Sequence, residues 1–231
     1  MKRVVEPEIL DELPAADPRA QASRRDLRRL NWWMGHAAIF AREWQRALRT
    51  PPRRLVELGA GDGTLMLRLA RRFARRWPGV EVTLVDRQPV VSSSTLEAFA
   101  ALGWRAEPVA ADVFDWLAQP VAARVDLMNA NLFLHHFEPA RLAGLLLAAA
   151  QRTNCFVACE TRRRETAPLA GRLCRLTGCT AVTCHDAVIS VRAGFAGTEL
   201  SELWPRAGGW SLRERAAGLF SHAFTAQPDP E

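Results

Sequence analysis

Two adjacent histidines, His135 and His136, are the residues of this chain best suited to accept a proton. An imidazole titrates near neutral pH, so it can act as a base towards a hydroxyl or phenol. The sequence contains no tyrosine, which excludes a phenolate base. For His136 a role as base and a role in holding its loop are equal alternatives, and for His135 the loop-holding role is favoured. His185 is a weaker third catalytic candidate.

A glycine-rich turn lies between a strand pattern and a helical pattern within residues 55–65. Gly59, Gly61 and Gly63 lack a Cβ atom, so the backbone can turn sharply and a ligand can approach it closely. The helix that follows points its free N–H groups and its positive dipole end into the same space. This order of strand, turn and helix predicts the opening unit of a nucleotide-binding α/β sheet.

Two common nucleotide-binding motifs do not fit this turn. A dinucleotide fingerprint needs glycine or alanine where this chain has Thr64. A P-loop needs Gly-Lys-Ser/Thr, and Lys2 is the only lysine. On the loop alone, a glycine turn without a ligand stays an alternative. The turn instead starts at Glu57 and reads Glu-x-Gly-x-Gly-x-Gly, which resembles motif I of class I S-adenosylmethionine-dependent methyltransferases.

Three later segments resemble the same family in order and spacing. Residues 80–86 form a strand pattern ending in Asp86, whose two carboxylate oxygens can accept hydrogen bonds from both ribose hydroxyls. Residues 108–113 resemble the third strand, whose closing acid lies near the adenine in this family. Residues 125–137 resemble the fourth-strand motif.

The resemblance covers about residues 55–161, with a weaker match onward to about 225. It implies S-adenosyl-L-methionine as the cofactor and S-adenosyl-L-homocysteine as the product. The cofactor-binding residues that it implies are Glu57, Gly59, Ala60, Gly61, Gly63, Asp86, Arg87, Asp112, Val113, Asn129 and Ala130.

The other patterns predict a Rossmann-like, doubly wound α/β fold. Its mostly parallel, seven-stranded sheet carries helices on both faces, because strands and helices alternate along the chain. A last core helix over 197–206 precedes two antiparallel strands, 210–215 and 219–225. We expect a loop over 185–195 and a loosely packed start over 1–20. Ligands of such sheets lie outside the carboxyl ends of the parallel strands.

Two helical patterns before the first strand predict an N-terminal helical cap over 1–50, on a methyltransferase-like core over 51–231. Small-molecule members of the family carry a lid at this place. Aromatic side chains of the cap are equally suited to pack on the core or to line an acceptor pocket. The predicted substrate-binding residues are Trp32, Trp33, Phe40 and Phe133.

The segment after the fourth strand bears on the class of acceptor. Family members that methylate amino groups of nucleic acids or glutamine usually carry Asp/Asn-Pro-Pro-Tyr/Phe there, whereas this chain has no proline in 129–132. Its Leu-His-His-Phe run is similar to that of small-molecule methyltransferases of quinone and polyketide pathways. This implies a phenolic, quinone or polyketide-like acceptor. The alternatives are an RNA or protein methyltransferase and a catalytically inactive, cofactor-binding partner subunit.

The composition is typical of one globular domain and bears on which classes of partner the chain can bind. Of 231 residues, 48% are hydrophobic and 24% charged. The net charge of +6 comes from arginines spread along helices, so a nucleic-acid partner is disfavoured. No apolar run approaches the about 20 residues of a membrane span, and acids fill the place of a signal-peptide core.

Five cysteines, without Cys-x-x-Cys spacing, predict a reduced, cytoplasmic chain with no metal site. A homodimer is left open.

Overall fold

The computed structural model describes residues 2–120, 123–165 and 167–229. Three helices precede the sheet: α1 (Ile9–Glu12), α2 (Pro18–Trp33) and α3 (His36–Ala47). Strands and helices then alternate as β1 (Arg54–Leu58), α4 (Thr64–Phe73), β2 (Glu81–Asp86), α5 (Ser93–Ala101), β3 (Arg105–Ala110), α6 (Val113–Ala118), β4 (Leu127–Asn131), a 3₁₀ turn (Leu134–His136), α7 (Pro139–Arg152) and β5 (Phe156–Thr161). The chain continues through α8 (Ala167–Leu176), α9 (Ala181–Ala193), α10 (Glu199–Leu203), β6 (Trp210–Ala217) and β7 (Ser221–Pro228).

These strands form one seven-stranded sheet in the order β3-β2-β1-β4-β5-β7-β6 across the described ranges. Strands β1 to β5 are parallel, and β7 runs antiparallel between β5 and β6. The predicted doubly wound α/β fold is confirmed. Strand order reverses between β1 and β4, which opens a crevice at the carboxyl ends of these two strands.

Two apolar clusters cover the two faces of the sheet. On one face, Phe73 of α4 stacks on Trp77 with ring centroids 4.2 Å apart, and Trp44 of α3 packs beside them. On the other, Phe156 of β5 contacts Trp204 with centroids 5.2 Å apart. In helix α4, Met66, Leu69 and Phe73 are buried at intervals of three and four positions, as a helical period predicts. Arg71 and Arg72 of the same helix are exposed. The rigid sheet between the clusters fixes where each strand ends.

Two local predictions are wrong. Residues 185–195 are largely helical, because Thr180 caps α9 by accepting a hydrogen bond from the Thr183 N–H. The start of the chain is also predicted to be loosely packed over 1–20, but within the described residues 2–20 helix α1 forms and Glu8 is 8% exposed. Among the described residues, no helix has the length and apolar character needed to cross a membrane. The division of the chain at residue 50 stays a prediction.

Candidate functional site

The glycine turn between β1 and α4 is shaped by both backbone conformation and space. Gly59, Gly61 and Gly63 have φ angles of +66°, +54° and +72°, a region that residues with a side chain rarely adopt. A Cβ atom on Gly59 would lie 2.3 Å from Cδ2 of Phe133. The Ala60 N–H donates to the carbonyl of Val85 (3.0 Å), which ties the turn to the end of β2.

Asp86 lies at the carboxyl end of β2, directly beside this turn. Its Oδ2 accepts a hydrogen bond from the Gly61 N–H (2.8 Å), and its Oδ1 accepts one from the Gln88 N–H (2.9 Å). Each carboxylate oxygen has a second lone pair. Asp86 therefore fixes the turn and can still accept two hydrogen bonds from a ligand.

Glu57 is a buried acid under the turn, and its side chain lacks a full set of partners. It is 2% exposed, and its Oε2 has no hydrogen-bond partner. Burial, and then the charges of Asp62 and Asp86, raises the pKa of Glu57 to about 8. An unpaired buried carboxyl at a cleft is a functional-site signal, and a cationic ligand group would stabilise its ionised form.

A cleft of about 700 Å³ opens over these residues, within the usual range for small-molecule sites. Its walls include predicted residues and a part of the chain that the sequence does not predict to lie at the site. The predicted residues that line it are Glu57, Gly59, Ala60, Gly61, Asp86, Arg87, Asp112, Val113, Phe133, His135 and His136. The unexpected wall is the N-terminal stretch 5–12.

Three predicted cofactor-binding residues lie outside the cleft. Asn129 is buried and its Oδ1 accepts a hydrogen bond from Trp44 Nε1 (3.1 Å), while Ala130 is buried in the core. Strand β4 ends at Asn131, and Asn131 and Leu132 line the cleft at this place. Gly63 caps α4, and its α-carbon faces a leucine of β2.

Three predicted substrate-binding aromatics are also placed elsewhere. Phe40 is 1% exposed in the core, whereas Trp32 and Trp33 are 66% and 53% exposed. The tryptophans face outward because α2 turns a polar face to α9, where Asp26 accepts hydrogen bonds from the backbone N–H of Thr180 and from a threonine hydroxyl. The structure keeps only Phe133 of this set at the cleft.

His185 lies on the outside of α9. Its side chain is 54% exposed, and its Nδ1 lies 3.2 Å from Asp186 Oδ1. The structure therefore does not bring this third catalytic candidate to the cleft.

His135 is enclosed between two carboxylates. Its Nδ1 is 2.7 Å from Glu160 Oε2, and its Nε2 is 3.3 Å from Glu8 Oε1. Burial alone would lower the pKa of His135, but the hydrogen bonds to Glu160 and Glu8 raise it to about 10. Glu160 Oε1 also accepts the backbone N–H groups of Phe133 and Leu134 (3.0 and 2.9 Å). His135 is thus a fixed, charged part of the loop.

His136 is more accessible, with a side chain 20% exposed, and its Nδ1 lies 2.9 Å from Asp11 Oδ2. Burial would raise the pKa of Asp11, but the hydrogen bond from His136 and the charge of that ring lower it. Glu8, His135 and His136 each offer one metal-ligand atom, and these atoms lie within 4.8 Å of one another. This constellation contrasts with the sequence prediction of no metal site.

The acids of this network were missed from the sequence. Glu8 and Asp11 lie more than a hundred positions before the histidines, and no local pattern links such distant residues. Glu160 did carry a signal, because an acid at the end of a buried parallel strand faces the crevice of such a sheet.

No protein-family model and no curated protein sequence matches this chain. Among solved structures, an O-methyltransferase family protein from Burkholderia thailandensis is 17% identical, with a TM-score of 0.61 over 94% of this chain and 62% of its own. The mitomycin 7-O-methyltransferase MmcR is 17% identical, with a TM-score of 0.60 over 95% of this chain and 60% of its own.

The magnesium protoporphyrin IX methyltransferase ChlM from Synechocystis PCC 6803, solved with bound S-adenosylmethionine, is 12% identical, with a TM-score of 0.52 over 93% of this chain and 85% of its own. The chain spans about three fifths of the length of the first two proteins. It has the fold of the class I S-adenosylmethionine-dependent methyltransferases.

Proposed function

We propose that this chain transfers a methyl group from S-adenosylmethionine to a small-molecule acceptor. The observation that carries the proposal is the pairing of Asp86 with the glycine turn at the mouth of the cleft. A nucleoside needs hydrogen-bond acceptors for its ribose and a backbone that it can approach closely. Asp86 and Gly61 supply both within one hydrogen-bonded unit.

The other cofactor contacts follow from the same geometry. Glu57, with its unpaired oxygen, is suited to the ammonium group of the methionine part, because a nearby positive charge favours the ionised carboxyl. Asp112 caps α6 by accepting the Phe114 N–H (2.8 Å), and with Val113 it would border the adenine. Arg87 lies on the same wall.

The acceptor would bind between the cofactor and residues 132–138, which connect β4 to α7, carry His135 and His136 and are called the histidine loop below. Methyl transfer from a sulfonium is an in-line displacement, so the enzyme mainly aligns the reacting atoms and excludes water. Phe133 supplies an apolar surface at this place. The likeness to the mitomycin 7-O-methyltransferase supports oxygen as the acceptor atom, and a phenolic, quinone or polyketide-like metabolite is the proposed class.

Of the two histidines, we propose His136 as the base. His135 is held as an imidazolium by two carboxylates, so it has no free lone pair for a proton. His136 is accessible from the cleft and has one carboxylate partner. His135 would instead hold the loop, which was the favoured interpretation of its sequence position.

The helices before residue 51 are proposed as the cap of this site. Leu27, Arg28 and Asn31 of α2 line the cleft, and Arg28 forms an ion pair with Asp62 of the glycine turn (2.7 Å). A cap built in this way would shield the methyl donor from water.

The test is a transfer assay with isotopically labelled S-adenosylmethionine and a panel of small phenols, hydroquinones and polyketides, preceded by calorimetry with S-adenosylmethionine, S-adenosylhomocysteine and NAD. Binding of the first two but not of NAD, with label in one acceptor, supports the proposal. Tight NAD binding without S-adenosylmethionine binding would refute it. Cofactor binding without turnover of any acceptor would favour an inactive partner subunit, and salt-dependent RNA binding would favour an RNA methyltransferase.

A further inference from the structure

The N-terminal segment, defined here as Arg3–Leu13, crosses the outer side of the histidine loop. Arg3 holds its first part in place: Nε donates to the carbonyl of Ala193 (2.7 Å), and Nη2 donates to the carbonyl of His135 (3.0 Å). Near the other end, the carbonyl of Leu13 accepts a hydrogen bond from Gln88 Nε2 (3.3 Å). The segment is therefore bonded to both sides of the cleft.

Between these points, Asp186 of α9 holds the short helix α1. Its Oδ1 and Oδ2 accept the backbone N–H groups of Ile9 and Leu10, each at 3.0 Å. Asp186 is 5% exposed, and hydrogen bonds that a carboxylate accepts are charge-assisted and of the stronger kind. They set the rotation of α1 and with it the direction of its side chains.

In this orientation, α1 and the residue before it present one carboxylate to each histidine. Glu8 reaches the ring of His135 and also accepts a hydrogen bond from Ser190. Asp11 reaches the ring of His136 at 2.9 Å. Glu8 is buried with its histidine, whereas the side chains of Asp11 and His136 are 41% and 20% exposed. Of the two pairs that line the cleft, the second is the more accessible to a ligand.

A carboxylate that accepts the Nδ1–H of a neutral imidazole fixes the tautomer of the ring. The lone pair is then on Nε2, which is the arrangement that a base needs when a third group orients it. Without this partner, the proton of His136 could occupy either nitrogen, and the ring could turn.

We propose that Asp11 is a positioning residue for His136, so that the docked N-terminal segment completes the acceptor side of the site. The inference deepens the proposed function and rests on it for the role of the base. The hydrogen-bond arrangement itself does not depend on the identity of the cofactor.

A divalent cation shared by Glu8, His135 and His136 is the competing explanation of this cluster, since their ligand atoms lie within 4.8 Å. The observed bonds favour the hydrogen-bonded arrangement. His135 donates to a carboxylate from both ring nitrogens, and the Nδ1 of His136 already has Asp11 as its partner. A metal ion would have to replace the proton on His135.

The tautomer of His136 tests the proposal directly, by nitrogen-15 NMR of the full chain at a pH where the ring is neutral. Wild type should carry the proton on Nδ1. Asp11→Ala should shift the proton to Nε2, while Asp11→Asn should keep the wild-type tautomer, because its amide oxygen can still accept the bond. Glu12→Ala is the matched control: it removes an exposed carboxylate of the same helix that pairs with neither histidine.

An unchanged tautomer in Asp11→Ala, or the same change in Glu12→Ala, would overturn the proposal. Histidine signals of wild type that change when a chelator is added would identify a bound cation and would also overturn it. None of these results depends on cofactor binding, so they are distinct from a failure of the proposed function.

Turnover adds a second readout with any acceptor that the panel yields. Asp11→Ala should lower kcat by no more than the about 10²–10⁴-fold expected for losing the base itself, with KM for S-adenosylmethionine unchanged. Asp11→Asn should recover part of the loss, and Asp115→Ala, which removes an exposed acid of α6 outside the cleft, should show none. Equal kcat in Asp11→Ala and wild type would contradict a positioning role.

Discussion

Replacement of Asp86 by alanine should weaken S-adenosylmethionine binding without unfolding the chain. The ribose would lose two charge-assisted hydrogen bonds to the carboxylate, and the loss of such a pair costs about 1–3 kcal/mol of binding free energy. Since 1.4 kcal/mol is tenfold in affinity, the dissociation constant should rise by about 5- to 150-fold. The loss has a second source, because Asp86 also holds the Gly61 and Gln88 N–H groups that shape the turn.

Calorimetry with S-adenosylmethionine and S-adenosylhomocysteine is the assay, and Asp115→Ala is the control. Asp115 is an exposed acid on α6 that lies outside the cleft. Asp86→Asn separates the two sources of the loss, because its amide oxygen can still accept one backbone N–H while the charge is gone. The free energy of unfolding should fall by only about 1 kcal/mol in Asp86→Ala, since the carboxylate is at a strand end. Unchanged cofactor affinity, or an equal change in Asp115→Ala, would refute the assignment.

Four further changes test the site. Gly59→Ala should abolish cofactor binding, because its Cβ would lie 2.3 Å from an aromatic ring. Gly79 has a similar φ of +69° but open space around it, so Gly79→Ala should cost only the backbone strain. Melting temperatures and calorimetry compare the two variants. The raised pKa of Glu57 means that the folded chain binds more protons than the unfolded chain, so without ligand its free energy of unfolding should fall between pH 4.5 and about 8. Denaturant unfolding of Glu57→Gln should show a weaker dependence of this free energy on pH. The cofactor affinity of wild type should rise over the same pH range. His136→Ala should lower turnover by about 10²–10⁴-fold with unchanged cofactor affinity, and its residual rate should rise with pH where wild type levels off; a wild-type pH profile would argue against a base. His135→Ala should instead lower the free energy of unfolding by about 3–5 kcal/mol, because it leaves the buried carboxylates of Glu8 and Glu160 unpaired. A loss of stability no larger than that of His136→Ala would contradict this ion pairing.

The sequence predicted the parts of the fold that depend on local patterns. Alternating strands and helices determined the sheet, and the doubly wound topology is confirmed. The glycine turn and Asp86 could be placed together because the carboxyl ends of neighbouring parallel strands meet at one edge. On β4 the structure brings Asn131 and Leu132 to the cleft, whereas Asn129 and Ala130 are buried, since the sequence pattern does not reveal at which residue a strand leaves the sheet.

Tertiary contacts account for what the sequence could not predict. Helix α2 buries Ser23 and Asp26 against α9, and no helical pattern of apolar residues predicts that a polar face is the buried one. Because the polar face of α2 is the buried one, Trp32 and Trp33 are exposed to solvent. The N-terminal segment is likewise held by ion pairs with partners distant in sequence, and Glu8 is the most buried of its acids.

The histidine loop obtains its backbone hydrogen bonds from β5. The N–H of Leu132, whose φ of +49° is strained for a leucine, donates to the carbonyl of Cys159 (2.9 Å). The next two N–H groups, of Phe133 and Leu134, donate to the side chain of Glu160. Three consecutive amides outside the sheet are thus bonded to a fully buried strand, and their hydrogens should exchange with solvent at the slow rate of a central strand, although they belong to a connection.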